Sequence, residues 1–84
     1  MSLEYRQDLP WFAWQMALKL GESRNEAKGA YREMTVEELL DRIEDEVAEL
    51  RLASGPGFSP ADIANECVDV ANFAMMLAAK VARP

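Results

Sequence analysis

Apolar positions recur at helical spacing along this chain, and no strand-like alternation, internal repeat or low-complexity tract interrupts them. Three helices are predicted. The first is the apolar segment Trp11–Leu20, which follows Asp8 and Pro10, residues suited to a helix start, and stops at Gly21. The second opens on the capping box Thr35-Val36-Glu37-Glu38, where Thr35 caps and Glu38 reaches back. Behind it Val36, Leu39, Leu40, Ile43, Val47 and Leu50 form one apolar stripe. Gly55-Pro56-Gly57 cannot continue that helix, so its end is predicted near Ser54. The third begins at Ser59-Pro60-Ala61-Asp62, a second capping pattern, and runs to about Val81 or Ala82. Residues 21–34 have weak periodicity and read as a connector; it is also the most basic region, with Arg24, Lys28 and Arg32 at four-residue intervals and Lys19 just before it.

The third helix is apolar almost all round from Ile63 to Ala79, as expected of a helix covered on every side. Glu66, Asp69 and Asn72 interrupt it at intervals of three and share one side. Burying carboxylates without partners costs several kcal/mol per ion, so these need a cation, basic side chains or solvent. On the second helix Glu46 and Glu49 also stand three apart, about 60° round the axis, and Glu46 borders the stripe beside Ile43 and Leu50. Glu37, Glu44 and Asp45 are expected in solvent. A tight turn makes the two helices antiparallel neighbours, so four carboxylates can converge, and a divalent cation would neutralise their repulsion.

Composition narrows the chemistry. Eighty-four residues make a single domain, 1–84, near the size at which oligomerisation often supplies missing stability. There is no histidine, which excludes imidazole-based triads and imidazole-bound metals, and the lone Cys67 excludes an internal disulfide or a thiolate cage. A metal here must therefore have oxygen ligands, which favours Mg²⁺, Mn²⁺ or Ca²⁺. The net charge of −6 argues against duplex nucleic acid as a partner. With no membrane-spanning run and no signal segment, the expected location is the cytoplasm.

Asp45-Glu46-Val47-Ala48-Glu49 followed by Glu66-Cys67-Val68-Asp69 resembles the EExxE…ExxD signature of the MazG-like all-α nucleoside triphosphate pyrophosphohydrolases. Phe12, Met16, Lys19 and Leu20, then Asn25, Lys28, Gly29 and Tyr31, are similar to the opening of the short phage and mobile-element members, and Asp69–Leu77 to their closing helix. Together these blocks touch nearly the whole chain. Asp45 departs from the pattern by replacing the first glutamate of the doubled pair, and the connector is shorter than in larger members.

The resemblance implies an all-α fold of antiparallel helices, with a four-helix-bundle-type core completed by oligomerisation into a homodimer or homotetramer. It implies Mg²⁺-dependent conversion of a nucleoside triphosphate to monophosphate and pyrophosphate. Carried over by position, Glu46, Glu49, Glu66 and Asp69 would hold Mg²⁺, with Mn²⁺ as a substitute, and Glu46 or Glu49 would be the general base. Lys19, Asn25, Lys28 and Asn72 would contact the substrate, and Trp14 or Tyr31 would meet the base. Arg32 is expected in solvent. The competing expectation is a non-catalytic, antitoxin-like helical interaction module, which explains the apolar third helix but not the four carboxylates.

Overall fold

The computed structural model describes residues 1–22 and 31–83. Its elements are α1 (Leu3–Leu20), a 3₁₀ turn (Tyr31–Glu33), α2 (Val36–Ala53) and α3 (Pro60–Ala82), with no strand among the described residues. The fold is all-α.

The second and third helices start where their capping boxes place them. The Thr35 hydroxyl accepts from the Glu38 N–H at 3.0 Å, and the Glu38 carboxylate accepts from the Thr35 N–H at 3.2 Å. Ser59 and Asp62 make the same reciprocal pair, at 3.2 and 2.8 Å. Between them the chain reverses through Gly57, whose φ of 92° lies in the left-handed region that glycine enters without a side-chain clash. The turn makes α2 and α3 antiparallel neighbours.

The first helix departs from expectation. It starts at Leu3 rather than after Asp8, because the Ser2 hydroxyl caps it by accepting from the Tyr5 N–H at 3.4 Å and Glu4 favours the first turn. Pro10 therefore lies inside α1 instead of in its first turn. It has no N–H to give to the carbonyl four residues earlier, so one rung of the helix is missing there.

The long third helix is the centre of the molecule. It packs against α2 along one side, against α1 on another and against the 3₁₀ turn, whereas α1 and α2 do not meet. Among the described residues Leu39, Ala53 and Val68 are the buried apolar ones, and they share the interior with two buried polar ones, Glu46 and Asn72. That is a small core with a polar centre. Most apolar side chains of α3 are half-buried between its neighbours, and no residue of α1 is buried. Exposed large apolar side chains are most numerous on α1, among them Leu3, Leu9, Trp11, Trp14 and Leu18. Among the described residues no helix is long and apolar enough to cross a membrane.

Candidate metal centre

The two acidic pairs come together because α2 and α3 run side by side with their acidic faces in register. One carboxylate oxygen each from Glu46, Glu66 and Asp69 lies within 4.8 Å of the others. Glu49 stands beside this group, acting on both Glu46 and Glu66, but it is exposed and outside the tight cluster. Asp45, Glu37 and Glu44 face solvent as expected, so Asp45 lies off the cluster.

Among the described residues, two cations face these carboxylates. The Lys19 ammonium donates to Asn65 Oδ1 at 3.0 Å and pairs with Asp69 at 3.4 Å, so the end of α1 is fastened to the acidic face of α3. Arg42, one helical turn before Glu46, donates to Glu46 Oε1 at 3.2 Å and lies 3.8 Å from Asp45. Its guanidinium also sits 5.0 Å from the centre of the Phe73 ring. Arg42 was not singled out from the sequence, although its i,i+4 spacing to Glu46 is the ordinary signal of such a pair.

Among the described residues, four carboxyl groups, Glu46, Glu49, Glu66 and Asp69, outnumber the two cations beside them. The electrostatics register it. Burial, then the closeness and repulsion of Glu49, then the charge of Asp69, push the Glu46 carboxyl up to about 7, against the opposing pull of Arg42. Burial followed by the charges of Asp69 and Glu49 raises Glu66 as well, with Lys19 opposing. The second oxygens of Glu46 and Glu66 are buried with no hydrogen-bond partner. Buried carboxylate oxygens are seldom left in that state, because an unmade hydrogen bond to a charged group costs more than a neutral one. Three converging carboxylates with two unpartnered buried oxygens fit a hard divalent cation with oxygen ligands. The residues present fit the group.

The other predicted residues are distributed unevenly. Asn72 is buried, and its amide donates to the Met16 carbonyl of α1 at 3.4 Å while its own oxygen has no partner. It ties α1 to α3 through this bond. Trp14 is 62% exposed and projects from the far side of α1; five positions from Lys19 is about 140° round a helix. Trp11 instead borders a cleft of about 370 Å³ between α1 and α3, with Gln15, Lys19, Asn65 and Val68. Tyr31 is also apart from the carboxylates. The 3₁₀ turn that carries it is held where the Arg32 carbonyl accepts from Lys80 at 2.8 Å, and Lys80 is eleven residues beyond Asp69, about 16 Å along α3. Arg32 is exposed and stands over the Tyr31 ring, 5.4 Å from its centre. Asn25 and Lys28, with Arg24, lie outside the described residues.

No family model, curated protein or solved structure matches this chain.

Proposed function

We propose that this protein is a Mg²⁺-dependent nucleoside triphosphate pyrophosphohydrolase, cleaving a (d)NTP to the monophosphate and pyrophosphate, with a role in keeping the nucleotide pool clean. The observation that carries the reading is the convergence of Glu46, Glu66 and Asp69 with two buried oxygens unpartnered. The acidic motif that resembles the MazG-like family supplies the reaction. Glu46, Glu66 and Asp69 would hold the cation, with Glu49 at its open side. When bound, the metal would supply charge neutralisation on the phosphate oxygens and acidify a coordinated water.

The chain's own residues set up the rest. Lys19 keeps Asp69 oriented and puts a positive charge at the α1 side of the centre, where phosphate oxygens need one. Arg42 fixes one oxygen of Glu46, which leaves the other free to act as a ligand. Glu49 alone among the four carboxylates is exposed, so it can take a proton from an attacking water and pass it to solvent. Trp11, beside Lys19 in the cleft, is a better placed aromatic surface for a base than Trp14. The proposed form is a cytoplasmic homodimer or homotetramer.

One observation favours the second reading, a helical interaction module: the exposed apolar residues of α1 suit a protein partner. It leaves the carboxylate cluster without a purpose. A panel of canonical and modified (d)NTPs with a pyrophosphate readout separates the two. Release from at least one nucleotide that needs Mg²⁺, and its loss in Glu46→Gln combined with Glu66→Gln, is expected. Inactivity across the panel, or full activity in the double variant, selects the interaction module.

A further inference from the structure

Arg42 does more at this centre than neutralise Glu46. It reaches from α2 to α3, where its guanidinium lies over the Phe73 ring, 5.0 Å from the centre. Phe73 is half-buried, one helical turn beyond Asp69. Because α2 and α3 are antiparallel, the turn before Glu46 on one helix meets the turn after Asp69 on the other. A guanidinium rests its flat face on an aromatic ring and keeps its edge available to a carboxylate. Here the edge is used: Nη2 donates to Glu46 Oε1 at 3.2 Å, and Nη1 lies 3.8 Å from Asp45. Ring, Glu46 and Asp45 together hold a side chain that is otherwise partly open to solvent.

The two oxygens of Glu46 are therefore not equivalent. Only 5% of this residue is exposed, so protein groups rather than bulk water decide what each oxygen meets. Oε1 faces a fixed positive charge, whereas Oε2 has no hydrogen-bond partner among the described residues. A divalent cation drawn to Oε1 would come up against the guanidinium, so Glu46 has one oxygen to offer. The ions that a site without histidine leaves open differ in what they ask of a carboxylate. Ca²⁺ collects a larger, looser set of oxygens and often grips a carboxylate through both of its atoms. Mg²⁺ demands a compact octahedral shell, keeps several of its waters and makes do with few carboxylates.

On the reading of Glu46, Glu66 and Asp69 as a divalent-cation centre, we propose that Arg42, pinned on Phe73, determines which ion that centre takes. By withholding Oε1 it makes Glu46 a one-oxygen ligand and turns the centre from Ca²⁺ toward Mg²⁺. Arg42 and Phe73 are positioning residues: they act through Glu46 and do not touch the ion. Asp45 is the alternative partner to which the guanidinium turns when the ring is taken away.

Isothermal titration calorimetry of the metal-free chain with MgCl₂ and with CaCl₂, at fixed ionic strength and without nucleotide, reads the ratio of the two affinities. Arg42→Met removes the charge and the hydrogen bond while keeping an apolar stem against Phe73. Loss of a positive charge strengthens the binding of both ions alike, whereas release of Oε1 favours Ca²⁺. The ratio should therefore move toward Ca²⁺ by roughly tenfold or more, the scale on which groups behind the ligands affect a metal site. Phe73→Leu keeps the charge and should move the ratio the same way by less. It also carries the test if Arg42→Met loses the helical circular dichroism of the wild type. An equal change for both ions in Arg42→Met, or an unchanged ratio in Phe73→Leu, would overturn the proposal. A wild type that binds neither ion overturns the centre and the proposal together. Mg²⁺-dependent pyrophosphate release with an unchanged ratio overturns the selectivity role alone. A shifted ratio without hydrolysis of any nucleotide supports that role and overturns the hydrolase reading.

Discussion

Glu46 combines two demands that conflict: it is sealed in the interior and it carries a charge. Its carboxyl titrates near 7 because burial and the neighbouring acids favour the protonated form. The folded state therefore holds the proton more tightly than the unfolded chain, whose glutamate titrates at 4.5. Between those values the native state binds more protons, so metal-free stability falls as pH rises from about 4.5 to about 7 and then levels off. At ~1.4 kcal/mol per pH unit the loss is at most roughly 3 kcal/mol. Melting the metal-free protein between pH 4.5 and 8 should show this decline, and Glu46→Gln should flatten it and raise the midpoint at pH 8. A midpoint that rises with pH across that window would contradict the assignment of Glu46 as the strained group. Arg42 works in the other direction. Arg42→Ala leaves Glu46 without its hydrogen bond and should cost roughly 1–3 kcal/mol at neutral pH by denaturant unfolding.

At the scale of elements, stability is concentrated in the pair α2–α3. Leu39 has no exposed surface, so Leu39→Ala should cost about 2–5 kcal/mol in chemical denaturation, and losing the Thr35 cap through Thr35→Ala about 1 kcal/mol. The reverse order of these two costs would mean that the α2–α3 packing is misassigned. These helices were legible in the sequence because their signals are local: two capping boxes, a Gly-Pro-Gly stop and an apolar stripe. The stripe placed Glu46 only at its border, and the packing of α2 against α3 buries it. The first helix was harder to read. Pro10 is a strong start signal, yet the weaker cap at Ser2 lies one helical stretch earlier and wins. The convergence of Glu46, Glu66 and Asp69 was legible from spacing, whereas the surroundings of Asn72, Trp14 and Tyr31 were not. Asn72 sits on the acidic side of α3, and only the position of α1 decides that its amide meets the Met16 carbonyl rather than a ligand. Where the connector's docking point falls along α3 likewise depends on Lys80, 48 positions away from its partner Arg32.

For the whole molecule, the acidic excess concentrated at four positions is the means by which an acidic protein would bind an anionic substrate, through a divalent cation. Binding of Mg²⁺ to the folded state alone should stabilise it by about 2.7 kcal/mol at a hundredfold excess over Kd, an upward shift of roughly 10 °C or more for a domain of this size. The same addition should leave Glu46→Gln combined with Glu66→Gln unmoved, since two of the three clustered carboxylates are gone. The most direct measurement of the central claim is pyrophosphate release from a panel of canonical and modified (d)NTPs, with and without Mg²⁺, for the wild type and this double variant. Mg²⁺-dependent release of pyrophosphate from at least one nucleotide, abolished in the double variant, is the predicted result. No release from any nucleotide, or undiminished release by the double variant, would contradict it.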